Sequence, residues 1–408
     1  MTTTAPRGVD STNQFTDSTA EVTGPRHFHQ LAPDVLDRLF LRRPEPITAQ
    51  WSTQRTAVAL GATLYVPATR PDLAEVIARR HREGVISMVI DLEDAVADEH
   101  SDEAIDATVA ALHQLDGSAA GQMLLFVRVR DVSQISSITS KLESAGALSG
   151  FVIPKFSAGE ADTALQEIDR SARRLGGHLW AMPVLESAAL VHRESRDDEL
   201  ATIATALDDH RDQVLAVRIG ATDMCGLFGI RRDRDLTIYD VRVAADAIAC
   251  VVNILGRADG TGHVITGPVW EYFADHERLF APQLRTTPFR DHDAVWFRQQ
   301  LVSRDIDGLL REIALDRANG MHGKTVIHPA HVAPVHALSV VTHEEYHDAV
   351  DILAGTTGGV AASAYRNKMN EMKPHRKWAE RVMDRAAAFG VTAPGVNFVD
   401  LLTAMDAA

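Results

Sequence analysis

Residues 61–94 read GATLYVPATRPDLAEVIARRHREGVISMVIDLED, and this stretch decides the fold. It opens on a short apolar, β-prone run at Thr63–Pro67. A helix-like segment, DLAEVIARRHREG, follows, and a second apolar run lies at Ser87–Leu92. Strand, helix and strand in one short stretch form the repeating unit of a parallel sheet. The rhythm continues through Leu124–Val129, Gly150–Pro154, Leu179–Leu185, Val214–Ile219, His263–Thr266 and Thr325–His328. Helical stretches such as VRVAADAIACVVNILG separate these runs. Eight strands alternating with helices make the chain α/β. Their nearly continuous apolar character fits a sheet buried on both faces. Eight units suit a closed (β/α)8 TIM barrel. Strand counting alone leaves a doubly wound open sheet as an equal alternative.

Outward from the barrel, spanning residues 61–355, the pattern changes. Residues 1–26 are rich in Thr and Ser and poor in apolar side chains, which predicts a disordered tail. Residues 27–60 hold Leu31, Val35, Leu36, Leu39 and Phe40 near helical spacing, which predicts a helix on the outside of the main domain. Residues 267–300 carry Trp270, Tyr272, Phe273, Phe280, Phe289, Trp296 and Phe297. They are too apolar for a loose loop and predict an insertion after strand seven. Residues 356–408 predict a C-terminal extension with helices around Arg376–Phe389 and Val396–Ala404.

The formal charge is −15, from 41 Lys plus Arg against 56 Asp plus Glu. That surplus argues against a nucleic-acid partner or an anionic membrane surface. The two cysteines, Cys225 and Cys250, offer no CxxC spacing, so neither a thiolate zinc site nor a redox pair is expected. The N-terminus lacks the basic start and apolar core of a signal peptide. No apolar run is long enough to span a bilayer. The expected setting is the cytoplasm.

In such a barrel the chemistry sits at the C-terminal ends of the strands. Strand one ends at Arg70 and strand two at Asp91, Glu93 and Asp94. Strand three contains Arg128, and strand four ends at Lys155. Strand five ends at Glu186, strand six leads to Asp223, and strand eight ends at His328. A purely structural barrel has no need of polar groups converging at one end. Glu186 and Asp223, two oxygen donors on adjacent strands, suit Mg²⁺, which leaves its other positions to water and substrate. Arginines at the same mouth suit a carboxylate or oxyanion. Metal and arginines together suit a 2-oxo or 2-hydroxy acid and its enolate.

The segments LYVPATRPD, VIDLEDAVADE, FVRVRD, GFVIPK, MPVLESAALV, RIGATDM and HGKTVIHPAHV, in this order, resemble the citrate lyase β-subunit-like (HpcH/HpaI aldolase) superfamily. The resemblance runs from about Gly61 to about Leu353. It implies a Mg²⁺-dependent carbon–carbon lyase and a homo-oligomer, trimeric or hexameric. The implied substrate is a small 2-oxo or 2-hydroxy carboxylate or its acyl-CoA derivative. It also implies that Glu186 and Asp223 hold the metal and that Arg70 and Arg128 hold substrate. By the same resemblance Glu93 and Asp94 orient arginines and water, while Lys155 and His328 lie near the pocket. The sequence departs from the usual family pattern at Ala68, where glycine is typical, in the aromatic insertion and in the C-terminal segment. GATLYVPATRPD and the N-terminal helix look more like the branch associated with tellurium-resistance operons.

Each residue also has a plainer reading. Glu186 could cap the next helix, Asp223 could be a loop aspartate, and Arg70 a surface arginine before Pro71. Glu93 and Asp94 could be helix caps, and His328 a loop histidine. Arg128 has the weakest plain reading, because a charge within an apolar strand is seldom buried unpaired. Lys155 could form a Schiff base, although metal ligands make that redundant. A catalytically inactive barrel serving assembly or regulation is the remaining alternative. The HEEYH at His343–His347 fits a zinc-protease pattern, but Thr342 and Glu345 form a capping box that reads it as a helix start. GRADGTG at 256–262 reads as a loop, because no strand-to-helix layout surrounds it.

Overall fold

The computed structural model describes residues 24–273, 307–355 and 359–407. Eight parallel strands form one sheet in sequential order. We number them β1 (Ala62–Pro67), β2 (Ser87–Asp91), β3 (Leu124–Arg128), β4 (Gly150–Ile153), β5 (Trp180–Leu185), β6 (Val217–Ile219), β7 (Ile265–Thr266) and β8 (Lys324–Val326). β8 pairs with β1, Ala62 opposite Lys324. The last seam, between β7 and β8, is closed through Gly267. Its N–H donates to the Gly323 carbonyl at 3.1 Å, and its own carbonyl accepts from Thr325 at 3.1 Å. The sheet is therefore a barrel, and the open-sheet alternative is excluded. Each of the eight apolar runs of the sequence overlaps one of these strands.

Side chains alternate between the two faces of each strand. Met88 and Ile90, Leu125 and Val127, and Phe151 and Ile153 pack outward with the helices. Val89, Phe126, Val152 and Met182 belong to a second core, shared with Leu36, Leu39, Phe40, Phe389, Leu401 and Leu402. The terminal segments thus join the barrel's inner packing. A helix at Pro33–Leu39 starts on a proline that needs no hydrogen-bond donor there. Residues Phe40–Arg42 then pair antiparallel with Val391–Thr392. Helices at Arg376–Phe389 and Phe398–Asp406 form the C-terminal extension.

The Thr342–Glu345 capping box is present and starts the helix His343–Ala354. Within it, His343 Nε2 and His347 Nε2 lie 3.2 Å apart. Neither residue lines the cavity described below. Of the expected tail, residues 1–23 lie outside the described residues. So do residues 274–300 of the expected insertion. Among the described residues no helix is long and apolar enough to cross a membrane.

Candidate active site

A cavity of about 400 Å³ opens at the C-terminal ends of the strands. Its polar walls come from strand positions that face inward by the two-residue period: Tyr65 on β1, Asp91 on β2, Arg128 on β3, Arg218 on β6, and Glu186 just past β5. Asp223 joins them from the first turn of the helix Ala221–Gly226.

Glu186 is buried, with 5% of its surface exposed. Its Oε1 accepts the Lys155 backbone N–H at 2.8 Å. Lys155 adopts a left-handed φ of 48°, rare outside glycine, at the point where its N–H meets that oxygen. Burial, and then the charge of Asp223, push the Glu186 carboxyl up to about 8. Asp223 is raised as well, first by burial and then by Asp94. Glu186 is thus raised by Asp223, and Asp223 by Asp94, so carboxylates crowd one side of this pocket.

The donor chemistry fits a hard divalent cation. Among the described residues no group of three or more His, Cys, Asp or Glu side chains could hold a metal ion. Two carboxylates plus water and substrate are what Mg²⁺ ordinarily takes. Gly220 makes room for this arrangement. A Cβ built on it would lie 1.6 Å from Glu186 Oε2. Gly220→Ala must therefore displace the Glu186 carboxylate, and it is expected to weaken Mg²⁺ binding by about 10–100-fold. Calorimetric titration measures this, and wild-type affinity would show that Glu186 does not bind the ion.

Protons compete for the same oxygens. Glu186 has a reference value of 4.5 and a folded value of about 8. Between those values the folded chain keeps a proton that the unfolded chain has released. The Glu186 contribution to stability thus falls as pH rises through that window. Below its folded value, a divalent cation bound there would have to displace that proton. Apparent Mg²⁺ affinity is expected to fall by about tenfold per pH unit there. Titrations at several pH values between about 6 and 8 read this slope, and a flat profile would contradict it.

The opposite wall is cationic. Arg128 forks onto Asp91, with Nε to Oδ1 and Nη2 to Oδ2 each at 2.7 Å. Its Nη1 lies 2.7 Å from Glu93 and 3.2 Å from Asp94. Three acids thus already surround this guanidinium. Arg218 differs. It is 1% exposed, and its Nη2 donates to Thr325 Oγ1 at 2.6 Å while Nη1 reaches Thr63 Oγ1 at 3.5 Å. Its Nε has no partner. Among the described residues no carboxylate ion-pairs with it. Tyr65 lies beside both guanidinium groups, with Arg128 5.3 Å and Arg218 5.6 Å from its ring centroid. Burial raises its phenol above the ordinary value and keeps it protonated.

The structure does not bring all the sequence candidates together. Arg70 is half exposed, ion-pairs with Asp72 at 3.6 Å and does not line the cavity. His328 is not on the lining either. Its Nδ1 accepts from Ala330 N–H, and its ring stacks on Phe273 at 4.6 Å. Lys155 Nζ pairs with Glu93 at 2.6 Å, and that hydrogen bond raises its pKa and keeps it charged. Glu93 is buried between Arg128 and Lys155, and Asp94 lines the cavity. Tyr65, Arg218 and Gly220 were not among the candidates, and Asp91 was read at its strand end without a role. Arg218 carried the same signal as Arg128, a lone charge in an apolar strand.

The mouth is fastened by a buried charge cluster. Lys324 Nζ, fully buried on β8, contacts Glu312 at 2.9 Å and Asp316 at 2.7 Å. Arg232 pairs with the same Glu312 and donates to the Val269 carbonyl at 2.8 Å. Glu271 accepts from Thr222 Oγ1 at 2.9 Å. Val269 and Glu271, which line the cavity, are held in place by these bonds.

A family described as carbon–carbon bond lyases of the TIM-barrel fold matches residues 54–391. A citrate lyase from Burkholderia xenovorans LB400 superposes with a TM-score of 0.58 at 16% identity, over 84% of this chain and 96% of that one. The CitE protein of Mycobacterium tuberculosis was solved in complex with magnesium, acetoacetate and coenzyme A. It superposes with a TM-score of 0.50 at 19% identity, over 81% of this chain and 99% of that one. At such identities these likenesses establish the fold. No curated protein matches the sequence.

Proposed function

The chain belongs to the carbon–carbon bond lyase family of the TIM-barrel fold, and from that premise we propose that it cleaves or forms the bond beside a 2-oxo or 2-hydroxy carboxylate, free or as its acyl-CoA derivative, through an enolate. The observation that carries this reading is the polarity of one cavity. A mutually repelling acid pair, Glu186 and Asp223, faces an acid-free guanidinium, Arg218.

Glu186 and Asp223 would hold Mg²⁺, which supplies Lewis-acid polarisation of a carbonyl or carboxylate oxygen. Arg218 receives the substrate carboxylate through its unpartnered Nε and its Nη edge. A buried guanidinium without a carboxylate is costly until an anion arrives. Arg128 is fixed in place by Asp91, Glu93 and Asp94, which offset its charge. Its remaining N–H edge needs no reorganisation to meet the developing enolate oxygen. Asp94 has 59% of its side chain open to solvent and accepts the hydroxyl proton in the cleavage direction. The oxygen's freed electron pair then forms a carbonyl as the C–C bond breaks, and the C–C electron pair passes into the enolate.

Lys155 is held charged by Glu93, so its amine is not available as a nucleophile. Borohydride trapping is expected to give no adduct. The whole reading is tested by incubating the chain and Mg²⁺ with a panel of 2-oxo acids, 2-hydroxy acids and their acyl-CoA esters, with products followed by NMR. Magnesium-dependent cleavage or condensation is the expected result. No turnover together with no Mg²⁺ binding would favour the catalytically inactive barrel. The resemblance to citrate lyase-like proteins supports a homo-oligomer, a trimer or hexamer, which light scattering measures directly.

A further inference from the structure

A second cavity, of about 330 Å³, lies at the opposite end of the barrel. Its lining comes from residues just before β1, β6, β7 and β8, such as Val58, Leu215, Val264 and His322, together with the helix Arg376–Phe389. We propose that this cavity is a binding site for a small phosphorylated dianion, separate from the active site and independent of the function proposed above.

The argument begins with charge. Among the described residues the cavity is lined by four cations, Arg211, Arg257, Lys377 and Arg381, and by two carboxylates, Asp212 and Glu380. Glu380 is already taken up by Lys377, at 2.9 Å. Arg211 is tied to Asp208 and to the carbonyls of Thr261 and Gly262. Two arginines are left without a carboxylate. Arg381 donates Nη2 to the Gly256 carbonyl at 3.0 Å, and Arg257 donates Nε to the Asn253 carbonyl at 3.0 Å. Neither makes an ion pair among the described residues.

The surroundings sharpen the imbalance. His322, on the same lining, makes no side-chain hydrogen bond among the described residues. Burial, and then Arg381, Arg385 and Arg317, push it down to about 3, so it stays neutral. Burial also lowers Arg381, and no carboxylate offsets that cost. Arg385 is matched by Glu345 at 2.8 Å, but among the described residues no carboxylate ion-pairs with Arg381. A half-buried guanidinium such as Arg381, without an ion pair and beside the exposed Arg257, is the condition an anion relieves.

The phosphate dianion follows from the two guanidinium forks and the volume. With Arg211 offset by Asp208 and Lys377 by Glu380, Arg257 and Arg381 face Asp212 alone on this lining. Guanidinium forks also match phosphate oxygens. The volume exceeds that of a bare phosphate ion and falls at the lower end of the range for small-molecule sites. The loop 256–262, GRADGTG, supplies Arg257, Gly260 and Gly262 to the lining. It does so without the strand-to-helix layout of a nucleotide motif.

The test is calorimetric titration of the full chain with glycerol 3-phosphate and with inorganic phosphate, in chloride of matched ionic strength. Saturable binding is expected. Arg381→Gln is expected to weaken it by about tenfold or more, one charge-assisted fork being worth at least that. Arg257→Gln, an exposed position that leaves the fold intact, is expected to weaken it by about threefold. Arg170→Gln, on the exposed face of another helix, is expected to leave it unchanged. Tighter binding of the ester would identify a phosphorylated metabolite as the occupant, and equal binding would identify the free ion. No saturable binding of either ligand overturns the proposal. So does wild-type affinity in the Arg257→Gln variant together with any Arg381→Gln protein that folds.

Discussion

Glu186→Gln is expected to leave the barrel folded and to lower magnesium-dependent kcat/KM by about three orders of magnitude. The substitution is isosteric and removes one charge from the pair with Asp223. Lewis-acid stabilisation is worth several kcal/mol, and about 4 kcal/mol corresponds to that loss in rate. A second readout moves the other way. Glu186 is pushed up to about 8 by burial and by Asp223. The neutral amide removes that burden, so the melting temperature should not fall and should vary less between about pH 5 and 8. Steady-state kinetics, Mg²⁺ calorimetry and thermal melts measure the three effects. Full activity with unchanged Mg²⁺ affinity would end the assignment of Glu186 as a ligand.

Arg218→Met is expected to raise KM about 100-fold while leaving the melting temperature unchanged or higher. A substrate carboxylate bound through two charge-assisted hydrogen bonds accounts for the affinity. The stability prediction follows from this buried guanidinium having no ion pair among the described residues. Methionine fills the space and removes an unpaired charge from the interior. An arginine serving only packing would give the opposite pair, a lower melting temperature and an unchanged KM. Arg218→Lys keeps the charge without the fork and should fall between the two in KM.

Much of the fold was legible because barrel strands are buried on both faces. The eight runs from Thr63–Pro67 to Thr325–His328 are apolar enough to stand out without any alternation. Strand counting alone did not decide their closure. It rests on hydrogen bonds at Gly267, and nothing in the local sequence there reads as a strand. The site was partly legible for a related reason. Residues at strand ends announce themselves by position, which is how Glu186 and Asp223 were found. Lateral contacts do not. Only the closed barrel shows that Arg128 is enclosed by Asp91, Glu93 and Asp94, while Arg218, three strands on, has among the described residues two threonines and a methionine as hydrogen-bond partners. Arg70 lies just beyond β1, where it meets its near neighbour Asp72 and not the cavity.

The pairing of Phe40–Arg42 with Val391–Thr392 bears on how the chain is made. These partners are separated by nearly the whole barrel in sequence, so the contact has a very high contact order and cannot form until synthesis is almost complete. Until then Leu36, Leu39 and Phe40 lack the Phe389, Leu401 and Leu402 side chains they pack with. A nascent chain stalled anywhere in the barrel therefore carries an uncovered apolar end for the whole of translation. That end is where a chaperone would bind and where aggregation of a truncated product would begin.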